Sequence, residues 1–377
     1  MSTEQLNLFS GEPQHDQFCR MDAFYPVRRL SAAAKPQPFP VGQTLKLPEH
    51  YRFGGANRDS MSFLEETDTS ALLAVVDGKV CFEEYYLTGG PEVPWTSWSV
   101  AKSFVSALVG IAIEEGLITS VEDPIDQYLP GIKGSAYEGV SIRNALQMSS
   151  GADWNEDYSD PDSDSNRLQP VMAGQGSLSE FVRGIKPAVD PGTRCQYNSA
   201  DTQVLGLLLA AVKGTTLSEY MQQKLCEPLG FEHPGYWLLD AEGVEMALGG
   251  LNLTARDYAR IGELYRNNGR WAGQQLVPES WVSSSIRSDA PHLEQGRVIV
   301  GGHVFPMGYG YQWWVPAGSA QEFSAVGIYN QFVFVNPKKR SVIVKLSANR
   351  AYGTSPDERT NREEETVAFL RAINDGI

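Results

Sequence analysis

The chain has 377 residues, 42% hydrophobic and 20% charged, an ordinary globular composition with length enough for a large core. A formal net charge of −15 with no clustered Lys/Arg stripe argues against a general nucleic-acid binder, because phosphate contacts need concentrated positive charge. Cys19, Cys81, Cys195 and Cys226 lie far apart with no Cys-x-x-Cys pair, so free thiols are expected rather than a zinc ribbon or a disulfide scaffold.

Residues 1–40 are polar, carry Pro13, Pro26, Pro36, Pro38 and Pro40, and lack the apolar run of a secretory signal. No stretch elsewhere has the length and apolarity of a bilayer span, so a cytoplasmic protein with no membrane partner is expected. Strand patterning begins near Ala71. Leu72 to Val76 and Lys79 to Phe82 flank Asp77-Gly78, a pair that favours a tight hairpin turn. Ser99 to Glu115 then reads as a helix with Phe104, Val105, Leu108, Val109, Ile111 and Ala112 apolar, closed by Gly116.

The middle third is helical in pattern: Ser141 to Gln147, Ser177 to Gly184, Asp201 to Lys213 and Leu217 to Leu225, separated by turns such as Pro191-Gly192 and Pro228-Leu229-Gly230. Between them the acidic run Glu156 to Asp164 reads as a hydrated loop. Thr254 to Asn267 is a further helix with Thr254 as its N-cap. Gly310 to Val315, Gln331 to Val335 and Ser341 to Ser347 read as strands, with Asn336 to Lys339 as a turn, before a closing helix from Arg359 to Ile373. Strands at both ends around a helical middle predict an α/β (α+β) chain: one antiparallel sheet flanked by helices, with an inserted, mainly helical lobe. The expected boundaries are an N-terminal extension over 1–60, a sheet domain from 61–98 and 245–377, and a helical lobe over 99–244.

Chemistry is suggested by Ser99-x-x-Lys102. Residues three apart on a helix share a face, so a lysine amine shielded from water could take the proton of the serine hydroxyl. Read alone, the pair is equally an N-cap serine and a solvated first-turn lysine. His15, His50, His233, His292 and His303 show no metal-ligand spacing, and no metal site is expected. There is no Gly-x-Ser-x-Gly elbow and no Walker or Rossmann glycine pattern; Gly249-Gly250 reads as close packing and Gly89-Gly90 as a turn.

Three segments in order change the weighing. Ser99-x-x-Lys102, then Val140 to Gly151, then Pro191-Gly192-Thr193-Arg194-Cys195-Gln196-Tyr197-Asn198-Ser199 resemble the serine hydrolases of the class C β-lactamase and penicillin-binding-protein family. Trp154 to Pro161, Leu248-Gly249-Gly250, Thr254 to Asp257, Gln312-Trp313-Trp314 and Ser341 to Ser347 are similar to segments of its nylon-oligomer amidases, the 6-aminohexanoate-dimer hydrolases, and their esterase relatives.

The resemblance implies the β-lactamase/transpeptidase-like fold and a serine hydrolase that cleaves a small-molecule ester or amide through an acyl-enzyme, with no cofactor. It implies Ser99, Lys102 and Tyr197 as catalytic groups, leaving open whether Lys102 or Tyr197 is the base. It places the oxyanion donors at the Ser99 and Val326 backbone amides, and substrate contacts at Tyr158, Gln169, Ser199 and Ser324. Phe323-Ser324-Ala325 stands where the β-lactam-recognising members carry Lys-Thr-Gly, so weak β-lactamase or peptidase activity, or a silent sensor domain, is the alternative. Gln169 stands where the nylon-oligomer group has an aspartate that grips an ammonium. A homodimer stays open.

Overall fold

The computed structural model describes residues 6–318 and 321–377; of the expected N-terminal extension, residues 1–5 lie outside it. In chain order the elements that build the site are β1 (Val27–Leu30), β2 (Thr69–Val76), β3 (Lys79–Tyr85), β4 (Trp95–Thr96), α1 (Ala101–Glu114), α2 (Ile142–Leu146), α3 (Leu178–Gly184), α4 (Ser199–Lys213), α5 (Leu217–Met221), β5 (Gly235–Leu238), β6 (Leu251–Leu253), α6 (Ala255–Arg266), β7 (Gly308–Tyr309), β8 (Trp314–Val315), β9 (Phe323–Gly327), β10 (Gln331–Asn336), β11 (Ser341–Ser347) and α7 (Glu363–Asp375).

Seven strands form one antiparallel sheet in the order β7-β8-β9-β10-β11-β2-β3, so strands from the two ends of the chain pair directly, Val344 opposite Leu73. The β2–β3 turn is the expected Asp77-Gly78, both residues with positive φ. A second sheet, β1-β5-β6-β4, brings residues 27–30 alongside Gly235–Leu238. Residues 6–60 are thus woven into the body, with Phe18 and Met21 fully buried.

Helix α1 is enclosed from Ala101 to Ala112, as its nearly continuous apolar sequence requires. Helix α4 is capped by the Asn198 side chain, which accepts from the Ala200 amide, and ends at Gly214 in the left-handed region. Helix α6, capped by Thr254, lies across β10 and β11. Among the described residues no helix is long and apolar enough to cross a membrane.

Four expectations shift. The helix expected from Ser99 starts at Ala101, and Trp98 to Val100 form a 3₁₀ turn ahead of it. Only Trp314–Val315 of the expected strand 310–315 is paired as a strand; the chain folds back at Gln312 (φ 63°), whose side-chain amide donates to the carbonyls of Ala145 and Leu146 and so satisfies the end of α2. The helix from Leu217 gives way after Met221 to a π turn over Gln222–Cys226. The closing helix is broken by Arg362 in the left-handed region, leaving one turn (Glu358–Asn361) before α7.

The α6 contact is set by a missing side chain. A Cβ at Gly262 would stand 2.6 Å from Val342 Cγ1 and 3.0 Å from Val333 Cγ1. Gly262→Val is therefore expected to destabilise the protein by about 1–3 kcal/mol despite removing a helical glycine, read as a lower urea midpoint at unchanged slope.

Candidate active site

Between β4 and α1 the chain makes the 3₁₀ turn that carries Ser99. Trp98 takes φ 46°, a conformation that costs a bulky residue about 1–3 kcal/mol and persists only where packing holds it. Its ring is held by Phe18, edge-on at 5.4 Å, and by Tyr329 at 5.8 Å. Strand β9 runs so close to this turn that a Cβ at Gly327 would lie 2.4 Å from the Ser97 carbonyl and 3.1 Å from the Ser99 nitrogen. Glycine is the residue that permits the approach.

Lys102, in the first turn of α1, is 1% exposed. Its Nζ lies 2.8 Å from Ser99 Oγ, 3.1 Å from Ser199 Oγ and 2.5 Å from the Leu248 carbonyl oxygen. Burial pulls the ammonium pKa down to about 8 against the opposing pull of the Glu156 charge. Ser199 opens α4 and donates from its hydroxyl (2.5 Å) and amide (3.0 Å) to the two oxygens of Glu156. The same carboxylate accepts from the Tyr158 hydroxyl at 3.0 Å and from the Trp154 indole. A chain of polar contacts thus runs Ser99–Lys102–Ser199–Glu156 inside the protein.

Tyr197 completes the constellation. Its ring stacks on Trp314 at 5.3 Å and lies 5.3 Å from Lys102 Nζ. Burial pushes the phenol well above its usual range, the Glu156 charge adds to this, and a hydrogen bond with the Ser99 hydroxyl opposes it. The phenol is therefore neutral here.

Ser99, Tyr197 and Val326 line one cavity together with Tyr158, Tyr352 and Glu363. On the other side of Ser99, Tyr158, Gln169 and Ser199 line a second one. Ser324 is not brought to the cleft: its hydroxyl is turned into the sheet, 3.0 Å from the Ala325 carbonyl and 3.1 Å from that of Val333, and the side chain is fully buried. Gln169 reaches Asn166 with its amide. The amides of Ser99 and Ile328 donate no hydrogen bond among the described residues. Ile328 opens the loop between β9 and β10, and its carbonyl is held by Gln331, which also binds Trp95 and Ser347.

Two acids at the site escape a reading of the sequence. Glu156 sits in a run expected to be hydrated but is 3% exposed, and the alternation Trp154-x-Glu156-x-Tyr158, which brackets it with aromatics, is the signal that could have marked it. Glu363 accepts from the Tyr352 hydroxyl at 2.5 Å, and burial raises its pKa to about 8. A third group, Asp201 in the first turn of α4, is raised by burial to about 8 while accepting from Ser150, Tyr137 and Asn198.

This arrangement has relatives. The beta-lactamase family model matches residues 63–368, and the chain belongs to that family. It is a serine hydrolase of the β-lactamase fold. Its sequence is 33% identical over 296 residues, covering 76% of this chain and 74% of the relative, to the 6-aminohexanoate-dimer hydrolase of Paenarthrobacter ureafaciens. In fold it is similar to a solved structure from Bacillus anthracis, provisionally described as a 6-aminohexanoate-dimer hydrolase (TM-score 0.83, 23% identity, 98% of this chain and 96% of that one). It is also similar to a family VIII carboxylesterase (TM-score 0.63, 15% identity, 84% and 95%).

The raised acids fix a pH trend. Asp201 and Glu363 at about 8 and Glu358 at about 7 hold protons more tightly folded than unfolded. Their contribution to stability is fully present below their unfolded pKa values and is lost as pH rises through the folded ones. The melting temperature is expected to fall between about pH 5.5 and pH 8, and Asp201→Asn to flatten that slope, measured by thermal unfolding in matched buffers.

Proposed function

We propose that the protein hydrolyses a carboxylic ester or amide through an acyl intermediate on Ser99. The observation that carries this reading is the water-shielded Lys102 amine 2.8 Å from Ser99 Oγ. Neutral Lys102 has two N–H bonds and one lone pair. The N–H bonds suit the Leu248 carbonyl and Ser199 Oγ, which leaves the lone pair for the Ser99 proton.

As Lys102 takes that proton, Ser99 Oγ bonds to the substrate carbonyl carbon and the carbonyl electron pair moves onto oxygen. Amides at Ser99 and on the β9 edge receive the oxyanion. Val326 is the strand residue the family resemblance points to; the Ile328 amide, two residues on and lining the same cavity, donates no hydrogen bond among the described residues and is a second candidate donor.

The tetrahedral intermediate then collapses. The bond to the leaving oxygen or nitrogen breaks, and Tyr197, kept neutral by burial, delivers a proton to it and is reprotonated from Lys102. Water, deprotonated by the same pair, attacks the acyl carbon and releases the acid. Every proton and electron pair in the scheme comes from these side chains, substrate and water.

Tyr158 and Gln169 line the cleft where they can touch substrate, while Ser199 serves Lys102 and Glu156 orients Ser199. Support for the amide arm comes from the Paenarthrobacter relative and for the ester arm from the carboxylesterase neighbour. The position of the Lys-Thr-Gly cation is held by Phe323-Ser324-Ala325, with Ser324 buried, which disfavours efficient β-lactam turnover.

Ser99→Ala is expected to abolish fluorophosphonate labelling and to lower kcat/KM for p-nitrophenyl acetate about 10⁴-fold or more. Labelling or turnover retained in that variant would overturn the assignment. In the wild type kcat/KM should rise through a limb near pH 8 as Lys102 loses its proton. Glu156→Gln removes the charge that holds that proton on, so the limb should move to lower pH, a shift that a purely structural role for Glu156 would not produce.

A further inference from the structure

The two cavities that meet at Ser99 differ in kind. On the Tyr197 side the cavity shares Tyr158, Val300, Phe305, Tyr352 and Glu363 with a larger one of about 330 Å³ whose lining includes Glu156, Asp157, Glu358, Glu363 and Glu364. On the opposite side a space of about 50 Å³ is walled mainly by apolar groups, among them Leu168, Met172, Met246 and Leu248. Its one charged lining residue among those described, Glu156, already accepts four hydrogen bonds: from the Ser199 hydroxyl and amide, the Tyr158 hydroxyl and the Trp154 indole. That carboxylate has little capacity left for a ligand cation. Gln169, also on the wall, is neutral.

The outer wall of this small cavity is not part of either sheet. It is Leu8 and Phe9, from the start of the chain. Phe9 stands in the left-handed region (φ 60°), stacks on Tyr158 at 4.9 Å and on Tyr329 at 5.5 Å, and donates its amide to the Tyr329 hydroxyl at 2.9 Å. The segment is tied down on both flanks by buried Leu6 and Phe18. Gly353 makes room for the ring, since a Cβ there would lie 2.4 Å from Phe9 Cδ1.

We propose that this strap closes the acyl pocket and makes the enzyme selective for a short, uncharged acyl group. The inference rests on Ser99 and Tyr197 acting as described above. Tyr197 gives its proton to the leaving group, so the leaving group lies on the Tyr197 side and the acyl group on the side that Phe9 closes. The leaving group faces the wider acidic cavity, and the acyl chain meets an apolar wall within a few carbons.

The test compares p-nitrophenyl butyrate with p-nitrophenyl octanoate, alongside fluorophosphonate labelling as an independent report on Ser99. The wild type should prefer butyrate in kcat/KM by about tenfold or more, since each extra methylene that cannot be housed carries a penalty of this order. Phe9→Ala should raise the octanoate-to-butyrate ratio about tenfold. Tyr329→Phe, which keeps the ring and removes only the hydroxyl anchoring the Phe9 amide, should move the ratio the same way by less. An unchanged ratio in both variants while fluorophosphonate still labels Ser99 would overturn the strap and leave the nucleophile standing. Absence of labelling in the wild type would overturn both.

Discussion

A primary amine sealed from water releases its proton more readily than one on the surface, and the centre of this molecule is arranged around keeping Lys102 in that condition. Helix α1 buries its stem, the Leu248 carbonyl and the Ser199 hydroxyl take its N–H groups, and Ser99 is what remains within reach. The counter-charge is one step removed. Glu156 meets Ser199 rather than the ammonium, so it steadies the polar chain without forming an ion pair that would fix the amine in its charged state.

The backbone supplies the second half of the site. Trp98 is forced into an unfavourable conformation and held there by aromatic rings, which turns the Ser99 amide toward the β9 edge. Gly327 lets that edge come near, and Gln331 locks the following loop through Trp95 and Ser347. A reactive hydroxyl, a shielded amine and free amides are therefore positioned by different parts of the chain that meet at one turn.

Much of this was legible from sequence where the cause is local. Asp77-Gly78 is a turn because of its own φ preferences, Thr254 caps its helix through its own side chain, and Ser99 and Lys102 are neighbours by helical spacing. What was hidden depends on tertiary partners. Glu156 looks like its acidic neighbours until Trp154 and Ser199 surround it. Ser324 reads as a cleft residue until strand register turns its hydroxyl into the sheet. Nothing in the polar, proline-bearing start of the chain announces that Phe9 will stack beside Tyr158.

The pairing of β2 with β11 has a kinetic corollary. Residues near 70 must wait for residues near 345 before the sheet can close, and the ring cluster around Trp98 joins Phe18 to Tyr329 across nearly the whole polypeptide. Contacts of such sequence separation carry a high loop-closure cost before they stabilise anything, which places this topology among slow folders. During synthesis the Thr69–Val76 edge that faces β11 stays open until the last third has left the ribosome, so the Ser99 turn gains its Tyr329 support only when the chain is nearly finished.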